Sequence, residues 1–222
     1  MLVVAAIVAV LLGAGGYFLL FGGPGGDGGL IGGQGGGQDN TVPPFDFAMG
    51  KAAAVSTNAM RDKKLKQAAA RAAQAVVAPI TTLYTEAFLD PGNWREGSYD
   101  EVWAQFDAGA AEQAQTDASV LTLGTGAGDL YDTVQPGKGK LTFRVLMDDK
   151  GAPSTVLVEA KFSARAKAKD GSVTTIVSDG RYFLRDMGDG WKVISYEVTR
   201  NDQTGTEATP SSASSTPTAA AS

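Results

Sequence analysis

VLVEAKFSARAK, residues 156–167, alternates apolar and polar side chains over almost its whole length. The apolar set of alternating positions is Val156, Val158, Ala160, Phe162, Ala164 and Ala166. The polar set between them is Glu159, Lys161, Ser163, Arg165 and Lys167. Because successive side chains of a β-strand point to opposite faces, this period of two predicts an antiparallel strand with one covered face and one wet face.

Turn signals on both sides of this segment predict its neighbours in the sheet. Asp148-Asp149-Lys150-Gly151, Asp170-Gly171 and Gly188-Asp189-Gly190 carry the residues that tight hairpin turns prefer. The strands between these turns are expected near 140–148, 154–168, 173–186 and 191–200. Strands that follow one another through short turns form an antiparallel meander.

The residues before the sheet have a helical period instead. A spacing of three and four, which marks one face of an α-helix, relates Leu65, Ala69, Ala72, Val76, Ile80, Leu83 and Ala87. Pro79 predicts a kink or a fresh start in this helix. A second helix is expected after Asp90-Pro91-Gly92, opened by a capping box between Ser98 and Glu101, and its buried stripe is Val102, Phe106 and Ala110. Helices followed by hairpin-connected strands predict an α+β fold.

The chain begins with twenty uncharged, mostly apolar residues, 2–21, which would span roughly 30 Å as a helix. No Lys or Arg precedes this run, and it continues beyond the small residues 13–16. These features favour an uncleaved signal-anchor over a cleaved leader. The expected contact with the membrane is therefore made through residues 2–21. We expect a single-pass protein of the cell membrane whose long C-terminal part is extracytoplasmic.

The predicted organisation has four parts. They are a transmembrane anchor over 1–21, a Gly-rich flexible linker over 22–45, a folded domain over 46–202, and a disordered Ser/Thr/Pro/Ala tail over 203–222. A linker of this composition reaches about 25–30 Å on average. The domain is therefore expected to stay close to the membrane without being fixed against it.

Composition removes several kinds of chemistry from consideration. The chain has no Cys and no His, which excludes disulfides, the usual zinc sites, a Cys nucleophile and His-based triads. The net charge of −5 gives no reason to expect nucleic-acid binding. The stretch GTGAG at 124–128 lacks the full G-x-G-x-x-G spacing, and Asp129 and Asp132 behind it would repel a phosphate. We expect no metal and no cofactor.

The start of the last strand resembles a known superfamily. The residues are Asp189-Gly190-Trp191-Lys192-Val193-Ile194-Ser195-Tyr196-Glu197-Val198. With two helices ahead of a curved antiparallel sheet, they resemble the nuclear transport factor 2-like, or cystatin-like, cone fold. The last strand of that superfamily often reads Gly-x-Trp-x-Ile or similar, and Gly190, Trp191 and Val193-Ile194 correspond to its parts. The helical part, from Leu83-Tyr84 to Phe88-Leu89, also fits, and the resemblance covers about residues 76–200.

The order of anchor, linker, cone domain and tail is similar to that of Mce-associated membrane proteins of actinobacteria, accessory proteins of lipid transporters. It is also similar to an assembly subunit of type IV secretion or conjugation channels. Both resemblances imply a noncatalytic domain that scaffolds or stabilises an envelope protein complex through protein contacts. The alternatives are a module that binds a lipid or another small apolar ligand and, least favoured, an isomerase or dehydratase that would need an Asp and a Tyr meeting in a cavity.

Two sets of residues are candidates for these roles. If the cone holds a ligand, the expected lining is Tyr84, Phe143, Phe162 and Tyr182. The expected contacts with a partner or with anionic lipid are Lys63, Lys64 and Lys66 in the first helix and Trp94 in a loop. The local charge supports a contact through the three lysines, because residues 51–71 hold six bases against one acid. By contrast, residues 79–135 hold ten acids against one base, and residues 138–200 hold twelve bases against eight acids.

Overall fold

The computed structural model describes residues 42–56 and 62–205, in which helices pack against a curved, unclosed sheet of five strands. The strands are β1 Ala48–Val55, β2 Tyr131–Met147, β3 Pro153–Ala168, β4 Val173–Asp186 and β5 Trp191–Gly205. The helices are α1 Asp62–Ala75, α2 Val77–Tyr84, a π-helical turn Thr85–Leu89, α3 Pro91–Glu96, α4 Asp100–Trp103, α5 Ala108–Thr116, α6 Ala118–Leu121 and α7 Ala127–Leu130. The predicted α+β class is confirmed.

Part of the predicted organisation lies outside the described residues. This applies to the anchor over 1–21, to residues 22–41 of the linker and to the tail beyond residue 205. Among the helices of the described ranges, none is both long enough and apolar enough to span a membrane.

The sheet has the strand order β1-β2-β3-β4-β5, and β2 to β5 form the predicted antiparallel meander. Two of its boundaries differ from the prediction. β2 begins at Tyr131, well before residue 140, and β5 continues to Gly205, into the segment expected to belong to the tail. β1 was not predicted; it pairs in parallel with β2, and its sequence AMGKAAAV has no alternation that would indicate a strand.

The predicted helical stripe from Leu65 to Ala87 is buried at every position, but the helix breaks at a different place. α1 ends at Ala75 and α2 begins at Val77, so the fresh start comes before Pro79 rather than at it. Pro79 therefore falls in the first turn of α2, where the missing N–H of proline is tolerated.

The predicted capping box between Ser98 and Glu101 was wrong. Tyr99 is the N-cap of α4 and makes no side-chain cap hydrogen bond. The predicted stripe of Val102, Phe106 and Ala110 is buried, yet α4 ends before Phe106 and a new helix, α5, carries Ala110. Asp107 caps α5, since its Oδ1 accepts a hydrogen bond of 2.9 Å from the Ala110 backbone N–H. A cap in the middle of the predicted helix divides it in two.

The inner face of the sheet is the surface that the helices cover. The apolar positions of β3 predicted from the alternation all lie on it, and none is more than 2% exposed. Leu141, Phe143 and Val145 of β2 continue this face, as do Ile176, Tyr182 and Leu184 of β4. The opposite set of positions forms the outer face, whose residues are half-buried or exposed.

Phe45, expected as the last residue of the linker, is part of this core together with Phe47. Phe45 and Phe47 are 6% and 5% exposed, and the Phe45 backbone N–H donates a 2.9 Å hydrogen bond to Thr85 Oγ1. Both rings lie over Gly139 of β2, where a Cβ atom would come to 2.7 Å from Phe47 Cδ1. Glycine at this position therefore provides the space that the two rings occupy.

Substitution of Gly139 by alanine tests this packing. We expect Gly139→Ala to destabilise the full chain by about 1–3 kcal/mol, because the added methyl group must displace aromatic rings in a filled core. The matched control is Gly126→Ala, where nothing lies within 4 Å of the added Cβ, and its effect should stay within about 0.5 kcal/mol. The measurement is chemical unfolding followed by circular dichroism. Equal stability of the two variants would show that Phe45 and Phe47 do not pack over β2.

Candidate functional site

Three of the four residues predicted to line a ligand pocket meet on the inner face of the sheet. The ring centroids of Tyr84 and Phe162 are 5.0 Å apart, and those of Tyr84 and Tyr182 are 6.1 Å apart. The fourth residue, Phe143, lies on the same face of β2, where Val158 is its register partner. None of the four is more than 3% exposed.

Other aromatic side chains fill the space around Phe162. Its ring centroid lies 5.0 Å from that of Phe45, 5.1 Å from that of Phe88 and 6.4 Å from that of Phe47. Such edge-on and tilted contacts are the arrangements that aromatic rings prefer in protein interiors. We call the six residues Phe45, Phe47, Tyr84, Phe88, Phe162 and Tyr182 the aromatic cluster. It occupies the place where a ligand between the helices and the sheet would lie.

The hydroxyl groups inside the aromatic cluster pair with each other. Tyr182 Oη donates to Tyr84 Oη over 3.2 Å, and Tyr84 Oη lies 3.4 Å from Ser178 Oγ. Gly180 leaves room for this arrangement, because a Cβ there would come to 2.5 Å from the Tyr182 ring. Burial raises the pKa of Tyr84 and raises the pKa of Tyr182 well above its ordinary value. Both hydroxyls are therefore neutral, and their hydrogen bonds stay within the core.

An Asp and a Tyr do meet elsewhere in the domain. Tyr196 Oη of β5 donates a 2.6 Å hydrogen bond to Asp117 Oδ2 at the junction of α5 and α6, and Gln113 Nε2 donates to the same oxygen over 3.0 Å. The bond from Tyr196, followed by that from Gln113, lowers the pKa of Asp117. A general base needs a pKa near the working pH, so this shift has the wrong direction. The pair joins the helices to β5.

Arg200 makes a second such connection, which the sequence did not single out. Its Nη1 donates to the backbone oxygens of Ser119 and Thr122 over 3.1 and 2.5 Å, while Asp202 accepts two bonds from Nε and Nη2 over 2.9 and 2.6 Å. The guanidinium carbon lies 5.9 Å from the Phe88 ring centroid. The side chain is only 12% exposed. Arg200 follows Tyr196 and Val198 in the same alternating set of β5 positions. This alternation was the one sequence signal that could have indicated an inward-facing arginine.

Trp94 was expected on the surface, and the structure corrects this expectation. Its side chain is 1% exposed, and the Arg95 guanidinium carbon lies 5.1 Å from its ring centroid. The Pro-Gly-Asn segment before it resembles a turn but starts α3, with Asp90 Oδ1 accepting a 2.7 Å hydrogen bond from the Gly92 N–H. The helical turn directs the indole inward. Trp94 is thus a core residue and offers no surface to a partner.

The predicted basic contacts in α1 are on the surface. Lys63, Lys64 and Lys66 are exposed, while Leu65 between them is buried. α1 packs against β1, β2 and β3 on the inner face of the sheet. The lysines therefore lie on the side of the domain opposite the outer face.

The outer face of the sheet carries both ion pairs and half-buried apolar side chains. Arg144 pairs with Glu159, Lys161 with Asp179, and Arg181 with Glu197, at 3.6, 3.6 and 3.3 Å. Leu157 and Phe183 are register partners on this face, and Leu146 lies near them on β2. A shallow groove of about 700 Å³ crosses β2, β3 and β4 at one end of this face and is bordered by Asp46, Lys138, Lys140, Lys161 and Asp179.

No protein-family model matches this chain, and comparison with curated proteins finds none with a similar sequence. Within the described ranges, no three Asp or Glu side chains are grouped closely enough to hold a metal ion. The physical features of the surfaces described above are therefore the basis for a functional assignment.

The tyrosines predict how stability depends on pH. The pKa values of Tyr84, Tyr99, Tyr131, Tyr182 and Tyr196 are raised, in each case chiefly by burial. A raised pKa in the folded state stabilises the fold below the unfolded value, near 10, and this contribution is lost as pH rises further. The loss can reach about 1.4 kcal/mol per pH unit for each tyrosine that ionises only on unfolding.

We therefore expect the phenolate absorbance of these five tyrosines to appear in one cooperative step that coincides with unfolding above about pH 10. Tyr84→Phe should reduce the slope of unfolding free energy against pH in this range, because one buried hydroxyl no longer titrates. Gradual appearance of phenolate absorbance from these five tyrosines while the fold stays intact would contradict the buried arrangement.

Proposed function

We propose that this chain is a single-pass membrane protein whose extracytoplasmic domain is a nuclear transport factor 2-like cone fold. The domain scaffolds or stabilises an envelope transport complex through protein contacts and does no catalysis. The proposed relatives are the Mce-associated membrane proteins of actinobacteria, with the assembly subunits of type IV secretion channels as the second candidate class. Helices packed on a curved meander, whose last strand opens with Trp191, support the proposed fold.

The aromatic cluster is the observation that carries the proposed function. A ligand-binding cone needs a cavity between the helices and the sheet, lined by residues that the ligand can reach. Here the ring of Phe162 contacts rings from the segment directly before β1, from α2 and from the π-helical turn. The hydroxyl groups of Tyr84 and Tyr182 are hydrogen-bonded to each other. A domain whose interior is filled by its own side chains acts through its surface. Macromolecular contact is therefore favoured over small-molecule binding.

The helical layer offers a surface of distinct charge for such a contact. Glu96, Glu101 and Glu112, at the end of α3, in α4 and in α5, are all exposed. Leu130, at the end of α7, is 60% exposed and follows Asp129. Exposed acidic side chains and an exposed leucine in the same helical layer suit a partner protein whose surface combines basic and apolar groups. We assign the protein contact to this layer.

Affinity purification of the full chain from its native membranes in mild detergent tests this function. Proteins and small molecules retained on the chain are identified by mass spectrometry. We expect a stoichiometric set of transporter or secretion-channel subunits. The triple variant Glu96→Gln, Glu101→Gln and Glu112→Gln should retain less of these subunits, because it removes three charges without changing side-chain volume.

A matched control removes three charges from a different surface of the same layer. Lys63→Gln, Lys64→Gln and Arg71→Gln, all at exposed positions of α1, should leave the retained subunits unchanged. A purified monomer that carries one defined lipid and no protein partner would contradict the scaffold function and favour a lipid-binding module. Turnover of a retained small molecule would favour an enzyme.

A further inference from the structure

The outer face of the sheet is strongly basic, in a chain whose net charge is −5. On this face, the described strands β2 to β4 present seven bases: Lys140, Arg144, Lys161, Arg165, Lys167, Arg181 and Arg185. The same face, with β5 included, presents three acids: Glu159, Asp179 and Glu197. All three acids already pair with bases of the same face. The remaining positive charge is available to a partner.

Apolar side chains lie among these bases. Leu157 and Phe183 are register partners at one end of the face, with Arg144 beside Leu157 and Ser195 beside Phe183. Both side chains are half-buried without belonging to the core. Basic residues that surround partly exposed apolar groups are the combination that favours an anionic surface with an apolar interior. An anionic phospholipid bilayer has these two properties.

A second copy of the chain does not suit this face. Two identical outer faces placed against each other would bring an excess of positive charge toward an equal excess of positive charge. The three ion pairs could exchange partners between copies, but the unpaired bases would repel. Charge therefore argues for an anionic partner and against face-to-face self-association.

The start of the described chain lies beside this face. Asp46 and Ala48 border the same groove as Lys140 and Lys161. Residues 22–41 connect this point to the apolar run 2–21, and a Gly-rich segment of that length reaches about 25 Å. If residues 2–21 cross the membrane, the groove end of the outer face is kept within reach of the lipid headgroups. The local concentration of lipid is then high enough for a weak surface contact to form.

We propose that the outer face of the sheet binds the anionic phospholipid surface of the membrane that anchors the chain. This inference rests on the proposed single-pass anchor. It also assigns the orientation of the domain: the sheet lies toward the bilayer and the acidic helical layer lies toward the partner protein. The outer face is thus the proposed membrane-contacting surface instead of the lysines of α1, because those lysines lie on the opposite side of the domain.

The absence of Cys from the chain allows a direct test with single fluorescent labels. Ser195→Cys places a label on the outer face, and Ser98→Cys places one on the helical side; both serines are exposed. The labelled full chain is reconstituted into nanodiscs of phosphatidylcholine, with or without phosphatidylglycerol, that contain nitroxide-labelled lipid as quencher. We expect quenching of the Ser195→Cys label only with phosphatidylglycerol, with loss of quenching at high salt, and no quenching of the Ser98→Cys label.

Two matched triple variants then identify the charges responsible. Lys140→Gln, Arg165→Gln and Lys167→Gln removes three exposed bases of the outer face, and should weaken the surface-bound state on the order of a hundredfold. Lys63→Gln, Lys64→Gln and Arg71→Gln removes three from α1 and should change nothing. Loss of quenching in the α1 triple variant, without loss in the outer-face triple variant, would overturn the proposal. So would an unquenched Ser195→Cys label in incorporated protein, the result expected if this face binds an acidic protein instead.

If residues 2–21 do not anchor the chain in a membrane, the result is different. In that case no variant enters nanodiscs, whatever its surface charge. Sedimentation of the full chain with phosphatidylglycerol vesicles then decides the inference. Binding that the outer-face triple reduces would support a lipid-binding face in the absence of an anchor, and binding that only the α1 triple reduces would overturn it.

Discussion

The contact of Phe162 with the rings around it is the interaction on which the arrangement of this domain depends. The side chain projects from the middle strand of a five-stranded sheet and meets rings from three other parts of the chain. Replacing such a residue with alanine costs roughly 3–5 kcal/mol, a large part of the 5–15 kcal/mol by which domains are commonly stable. Phe45 and Phe47 belong to the same group of rings, and their packing holds the segment directly before β1 next to β2. This position explains why β1 pairs with β2 at the edge of the sheet.

Covering one face of the sheet determines what the other face can do. All the helices of the described chain lie between β1 and β2 in sequence, and their apolar sides pack on the inner face. The outer face is left to side chains that must be compatible with water, and in this chain most of its charged side chains are Lys and Arg. The acids are concentrated in the helical segment. The domain therefore has two chemically distinct sides, which is a useful property for a protein positioned between a membrane and a partner.

Local patterns predicted the meander well. The alternation in β3 and the Asp- and Gly-containing turns need only neighbouring residues to be read, and the helical stripe through Ile80 and Leu83 is equally local. β1 could not be predicted in this way, because an Ala-rich segment becomes a strand only when β2 provides its hydrogen-bond partners. Trp94 was misplaced for a related reason: Asp90 converts an apparent turn into the first turn of a helix. The pairing of Tyr84 with Tyr182 joins residues far apart in sequence, so only the fold reveals it.

Hydroxyl-radical footprinting of the full chain, in its native membranes and after transfer to detergent, tests most directly whether the interior is filled and the outer face is the contact surface. We expect Phe162 and Tyr182 to stay unmodified in both conditions. Leu157 and Phe183 should be modified in detergent and protected in membranes. Modification of Phe162 and Tyr182 in the folded protein would contradict the account, because it would mean that water, and therefore a ligand, can enter between the helices and the sheet.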